Sequence, residues 1–191
     1  MMDFRFTVFL DRDGTINVNF PMPNVNTPER LFLLDGAADG IRILNDLGAR
    51  VIVLTNQAGI ENPENDLSIE TMGLITERLN DMIYKDAGAR IDDTFYCPHL
   101  ASSNCNCRKP APGLVHQAMY KYPDIKLENA FIVGDRPDDI LLGRELNIYS
   151  ILVLTGHGAE TSQQLHEASE IPTQIAKDLH AAALSIKNLV N

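Results

Sequence analysis

Phe6-Thr7-Val8-Phe9-Leu10 runs straight into Asp11-Arg12-Asp13-Gly14-Thr15, an apolar pentapeptide followed at once by a charged turn. So short an apolar run, so sharply bounded, predicts a buried strand rather than a helix. Side chains alternate along an extended chain, so Asp11 and Asp13 can both reach one ligand while Arg12 points away. Gly14 permits the unusual backbone of a tight exit turn. One carboxylate of such a pair can attack phosphorus, and the other can give and take the protons. Taken alone, the same pentapeptide also suits a calcium-like loop or a plain turn.

The pattern recurs outward from this segment. Val51-Ile52-Val53-Leu54 ends in Thr55-Asn56-Gln57, and Phe131-Ile132-Val133 ends in Gly134-Asp135-Arg136-Pro137-Asp138-Asp139. Ser150 to Leu154 ends in Thr155-Gly156-His157-Gly158, and Thr94 to Tyr96 reads as a further short strand. Helical spacing fills the intervals. Ala37, Ile41, Leu44 and Leu47 lie between Gly36 and a capping Gly48; Ile69, Met72, Ile75, Leu79 and Met82 follow Ser68 as N-cap, up to about Lys85. Pro112 suits the first turn of a helix carrying Leu114, Val115, Ala118 and Met119, and another helix passes through Ile140, Leu141 and Leu142. A last helix, from about Thr173 to Leu189, has Ile175, Leu179, Ala182, Ile186 and Leu189 on one face, whereas residues 158–171 are too weakly patterned to assign. Alternating strands and helices predict the α/β class, a central parallel sheet flanked by helices. Ligands of such sheets bind beyond the carboxyl ends of the strands, so the polar clusters should meet along one edge.

Each cluster brings its own chemistry. Thr55 and Asn56 offer a hydroxyl and amides to phosphate oxygens, although Thr-Asn after a strand also serves as a turn or N-cap. Lys109, in Arg108-Lys109-Pro110, can neutralise a phosphate and the charge developing in its transition state; alone, a solvated basic pair is the simpler reading. Arg108 and Arg136 are further candidates for phosphate binding, since guanidinium recognises oxyanions bidentately. Asp135 and Asp139 are hard oxygen donors of the kind Mg2+ prefers, with Asp138 an N-cap candidate for the next helix. Charge balance links the clusters. Two like charges about 4 Å apart repel by roughly 4 kcal/mol at an effective dielectric of 20, so four aspartates cannot converge on a phosphate without cations. A divalent ion together with Lys109 removes most of that repulsion.

The chain has 191 residues, a formal net charge of −10 and a sequence pI of about 4.8. That length accommodates one well-cored domain over 1–191. An acidic surface repels nucleic-acid backbones and anionic lipid, leaving a small phosphorylated metabolite as the expected partner and a monomer as the default. No stretch approaches the roughly 20 apolar residues that span a bilayer, and Met1 to Leu10 lacks a signal peptide's apolar segment; a cytoplasmic location is expected. The three cysteines lie together. Cys97-Pro98-His99 and Cys105-Asn106-Cys107 form a Cys3His set within a loop of about 97–107, suited to a closed, structural Zn2+ site. Free or oxidised thiols on a loop are the alternative. Zinc here would fix Arg108 and Lys109, which follow directly, near the phosphate.

From about Phe6 to Gly158 the chain closely resembles the haloacid dehalogenase (HAD) superfamily of phosphohydrolases. FTVFLDRDGT matches its hhhhDxDGT motif, VIVLT its hhhhT, Lys109 its lysine, and GDRPDD its GDxxxD. The resemblance implies a Rossmann-like HAD fold, with Asp11 as nucleophile, Asp13 as general acid/base, and Thr55 and Lys109 on the phosphoryl group. It also implies Mg2+ held by Asp11, the Asp13 carbonyl and Asp135, with Asp139 orienting these groups. The CPH…CxCRKPxPG and LDRDGTIN segments look like the branch shared by heptose-bisphosphate phosphatases and histidinol-phosphatases, which carries this zinc loop and no large cap domain. Neither Asp13–Gly36 nor Cys107–Phe131 leaves room for an inserted domain. RKPAPGLV and LTGHG look more like the heptose-bisphosphate members, whereas the short gap between His99 and Cys105 is similar to histidinol-phosphatases. One departure stands out: the family's TNQSGIARG reads Thr55 to Pro63 as TNQAGIENP, with Glu61 where a basic residue is expected. A third reading, a non-enzymatic zinc-stabilised binding module, conflicts with a competent residue at every position phosphoryl transfer requires. His157 either touches substrate or is simply solvated, and His116, His166 and His180 suggest no chemistry.

Overall fold

The computed structural model describes residues 4–20, 25–62, 67–168 and 170–191. Strands β1 (Phe6–Leu10), β2 (Ala49–Asn56), β3 (Asp93–Cys97), β4 (Ala130–Gly134), β5 (Tyr149–Val153) and β6 (Gln174–Ala176) form one sheet. Their order is β3-β2-β1-β4-β5-β6, with every adjacent pair parallel. The helices are α1 (Ala37–Asp46), α2 (Ile69–Ala87), α3 (Gly113–Lys121), α4 (Pro137–Glu145), α5 (Gly158–Glu167) and α6 (Leu179–Val190). From β1 the chain builds outward through β2 to β3, then returns to add β4, β5 and β6 on the other side. The reversal opens a crevice between β1 and β4 at their carboxyl ends. Leu10 is in register with Val133, and the Asp11 N–H donates to the Val133 carbonyl at 2.9 Å. Asp11 and Asp135 therefore leave neighbouring strand ends side by side.

Strand alternation divides the core between the two faces of the sheet. Val8, Leu10, Val51 and Val53 pack on one side with Ile41 and Leu44 of α1, Ile75, Leu79 and Ile83 of α2, and Ala182 and Ile186 of α6. Phe9, Ile52, Leu54 and Ile132 pack on the other with Leu114, Val115 and Ala118 of α3 and Leu142 of α4. Strands buried on both faces explain the unbroken apolar runs of the sequence. Among the described residues no inserted cap interrupts this arrangement, and no helix is long and apolar enough to cross a membrane.

The carboxyl-terminal third departs from expectation. Instead of one helix from Thr173, the chain adds β6 to the edge of β5 and begins α6 only after Asp178, whose side chain accepts the Ala181 N–H at 2.8 Å. Ile175, assigned to the helical face, lies on β6 and is exposed. The unassigned segment forms α5, which buries only Gly158, Thr161 and Leu165, too few apolar positions to show a period. On α2, Ile69 is exposed and Ile83 takes the inward place. Pro112 stands as N-cap of α3 rather than in its first turn, and Asp138 is not the cap of α4: Arg136 is, with the Asp139 carboxylate accepting the Arg136 N–H.

Candidate active site

Lys109 sits at the centre of the strand-end edge, 3% exposed. Its Nζ donates to Asp11 Oδ1 at 2.7 Å, to Asp139 Oδ1 at 2.6 Å and to the Leu54 carbonyl at 2.7 Å. Burial works against the ammonium charge, but the carboxylates of Asp11 and Asp139 outweigh it and hold the pKa above the ordinary lysine range. Asp139 is thereby spent on protein partners, one oxygen on Lys109 and the other on the Arg136 N–H.

Asp135 is different. Its Oδ2 accepts the His157 N–H at 2.7 Å, while its buried Oδ1 has no hydrogen-bond partner. Burial first, then the charge on Asp11, pushes its carboxyl up to about 8. Glycine is required around it. Gly14 has φ +88, Gly156 has φ +56, and a Cβ at either would lie 2.3 Å from Asp135 Oδ2. Carboxylate oxygens of Asp11, Asp135 and Asp139 all lie within 4.8 Å of one another. An orphaned buried carboxylate oxygen beside two further carboxylates, with one ammonium between them, fits a divalent cation with oxygen preference.

Asp13 faces the same crevice from a hydrogen-bonded frame. Arg12, expected to point away, is 1% exposed, and its Nη2 returns to both Asp13 oxygens at 2.8 and 3.1 Å. Asn17 Nδ2 donates to Asp13 Oδ1 at 2.9 Å. Gln57 Nε2 donates both to Asp13 Oδ2 and to Thr55 Oγ1, each at 2.8 Å. Arg12, Asn17 and Gln57 were not singled out as site residues from sequence, although Gln57 lies in the Thr55-Asn56-Gln57 cluster.

The crevice is a cavity of about 390 Å3 lined by Asp11, Asp13, Thr55, Asn56, Arg108, Lys109, Arg136, Asp138 and His157, with Asn19 and Phe20 from the loop after β1. All the expected phosphate-binding residues are thus brought together. Asn56 acts mainly on the protein: its amide oxygen accepts the Lys109 N–H at 3.0 Å and its amide nitrogen donates to the Lys109 carbonyl at 3.1 Å. This reciprocal pair ties the end of β2 to the lysine's own backbone. Asn19 and Phe20 had no motif to reveal them. Thr155 Oγ1 donates to the Gly14 carbonyl at 2.6 Å, joining the exit loops of β5 and β1.

Beside the cavity, Cys97, His99, Cys105 and Cys107 present ligand atoms within 4.8 Å of one another. The sulfur separations are 3.3 to 3.5 Å, and His99 Nδ1 lies 3.2 Å from Cys107 and 3.5 Å from Cys97. Metal–sulfur bonds of about 2.3 Å in a tetrahedron set sulfurs roughly 3.8 Å apart, so a small expansion would admit such an ion. Glu61 points here rather than into the cavity. Its Oε2 accepts the Leu100 N–H at 2.6 Å and the Ser103 hydroxyl at 2.8 Å, and the backbone bond lowers its pKa first. The acidic residue in place of the expected basic one therefore pins the cysteine loop; Pro63, two residues on, lies outside the described residues.

Fold and site together define a class, and residues 106–182 match that class, the HAD-hydrolase-like family. The chain is 33% identical over 189 residues to the D-glycero-D-manno-heptose-1,7-bisphosphate 7-phosphatase of Thermosynechococcus vestitus, covering 93% of each. It is 38% identical over 160 residues to the D-glycero-alpha-D-manno-heptose-1,7-bisphosphate 7-phosphatase of Photorhabdus laumondii, covering 78% of this chain and 82% of that one. The crystal structure of D,D-heptose 1,7-bisphosphate phosphatase from B. bronchiseptica, complexed with magnesium and phosphate, matches with a TM-score of 0.86 and 28% identity over 96% of this chain and 99% of that one. The chain belongs to the heptose-1,7-bisphosphate phosphatase family of HAD hydrolases.

Proposed function

We propose that this protein is a Mg2+-dependent phosphomonoester hydrolase that removes the 7-phosphate of a D-glycero-D-manno-heptose 1,7-bisphosphate through an aspartyl-phosphate on Asp11. The observation that carries the reading is the Asp11 carboxylate at the switch point of the sheet, 2.7 Å from the buried Lys109 ammonium and open to the cavity. An Asp11 oxygen attacks phosphorus, the ester P–O bond breaks, and the leaving oxygen takes the proton carried by Asp13. A water then attacks the aspartyl-phosphate, Asp13 takes that water's proton, and the P–O bond to Asp11 breaks to give inorganic phosphate. Thr55 and Lys109 hold the phosphoryl oxygens, Lys109 offsetting the charge they develop. Asp11, the Asp13 carbonyl and Asp135 would hold Mg2+, with Asp139 orienting them; when bound, the ion supplies further neutralisation of the phosphoryl charge.

A single structural domain with Zn2+ on Cys97, His99, Cys105 and Cys107 completes the proposal. Three unpaired thiols suit a reducing cytoplasm. Arg108 and Arg136 flank the cavity, and two guanidinium groups favour a substrate with a second phosphate over histidinol phosphate, whose remainder is cationic. The test is kcat/KM for heptose 1,7-bisphosphate against histidinol phosphate, with and without Mg2+. Strong preference for the bisphosphate and dependence on Mg2+ are expected. Asp11→Asn should fold normally by circular dichroism and turn over neither ester. Parental rates in that variant would exclude Asp11 as the nucleophile.

A further inference from the structure

We infer that Gln57, supported by Arg12, is the positioning residue for the acid/base carboxylate, one amide nitrogen tying the phosphoryl-binding hydroxyl of Thr55 to Asp13. The inference rests on the roles proposed above for Thr55 and Asp13. Gln57 is 4% exposed, and its Nε2 spends its two hydrogens on Asp13 Oδ2 and Thr55 Oγ1, both at 2.8 Å. By accepting from Gln57, the Thr55 hydroxyl is left to donate its own hydrogen toward the cavity. Each Asp13 oxygen accepts two hydrogen bonds: Oδ1 from Arg12 and Asn17, Oδ2 from Arg12 and Gln57. A carboxylate engaged in this way has a fixed plane but no lone pair free for a proton. To deliver a proton to the leaving oxygen, Asp13 must give up one of these partners.

The contacts of the three donors single out the Gln57 bond as the one to release. Arg12 is buried at 1% exposure, its Nη1 lies against Met72 Sδ at 3.4 Å, and its Nε has no partner, so packing under α2 holds the guanidinium in place. Asn17 is held a second time, its Nδ2 also donating to the Val18 carbonyl at 2.9 Å. Gln57 alone connects to a group that substrate itself engages. When a phosphoryl oxygen draws on Thr55, the Gln57 amide shifts with its partner and Oδ2 is freed on the cavity side. Phosphoryl binding and proton delivery are thereby coupled through one side chain that is not among those lining the cavity.

Leaving-group dependence separates this role from a merely structural one. An alkoxide needs a proton to depart, whereas p-nitrophenolate does not, so a misplaced acid slows only the first. Gln57→Met and the parent protein are compared in single turnovers, enzyme in excess with Mg2+ and Zn2+ present, on heptose 1,7-bisphosphate and on p-nitrophenyl phosphate. The sugar ester should slow on the order of tenfold to a hundredfold in the variant and the aryl ester by less than about threefold. If Gln57→Met does not fold, Gln57→Asn, which withdraws the amide by one methylene, is read in the same way. Equal losses on both esters, or no loss on either, would overturn the inference while leaving the phosphatase reading intact. A parent protein inactive on both esters would overturn that reading, and the inference with it.

Discussion

An ammonium group buried among carboxylates gives up its hydration, and only well-made contacts with those carboxylates compensate. Lys109 meets that condition with three acceptors at 2.6 to 2.7 Å. Lys109→Met should therefore destabilise the protein by about 3 kcal/mol at neutral pH, because Asp11 and Asp139 are left facing each other without a cation. Urea unfolding measures this, and turnover should vanish as well. Asp135 presents the opposite case. Its carboxylate lacks a partner for Oδ1 and is raised by burial and by Asp11, so in Mg2+-free buffer it opposes folding. Asp135→Asn should raise the melting temperature without Mg2+ and remove the further rise that Mg2+ gives the parent. A lower melting temperature in that variant would show that the carboxylate is satisfied as it stands.

The turn after β1 depends on glycine for two separate reasons, a left-handed backbone at Gly14 and the closeness of Asp135. Gly14→Ala should reduce hydrolysis by more than about tenfold and weaken the response to Mg2+, since either φ or the Asp135 carboxylate must move. Ser68→Ala offers a contrast in the same range of stability. Its hydroxyl accepts the Thr71 N–H at 3.1 Å, so its loss should cost about 1 kcal/mol, leaving kcat/KM unchanged because Ser68 is not among the residues that line the cavity. Both residues were readable in the sequence, as were β1, β2, β4 and the polar clusters they carry, because a strand buried on both faces must end abruptly in a polar turn. Elements that bury little were not readable: α5 buries three residues, and β6 is a three-residue edge whose partner lies elsewhere in the chain. Arg12 escaped for a related reason. A charged residue between two strand-end aspartates suggests solvent, and only the packing of Met72 and the position of Asp13 turn it inward.

Across the whole molecule the formal charge is −10, and the cavity must attract a phosphate against that field. Lys109, Arg108 and Arg136 supply the local positive charge, but burial, and after it the charge on Asp11, still raises the carboxyls of Asp135 and Asp139, an imbalance these cations do not remove. This imbalance gives the Mg2+-free protein a distinctive pH dependence. An unfolded aspartate titrates at about 3.9, whereas folded Asp135 is pushed up to about 8. Between those values the folded protein holds a proton that the unfolded chain has already released. The unfolded state binds fewer protons there, so stability falls as pH rises. Asp139, raised chiefly by burial, acts in the same direction, and Lys109, raised, stays charged throughout this window. The melting temperature of the parent in Mg2+-free buffer, with zinc retained, should fall from about pH 5 to about pH 8, more steeply than that of Asp135→Asn. Saturating Mg2+ should flatten the parent's curve toward the variant's, because the ion favours the ionised carboxylate that burial disfavours. Parallel curves for parent and variant without Mg2+ would mean that Asp135 is already ionised across this range and that the site needs no second cation.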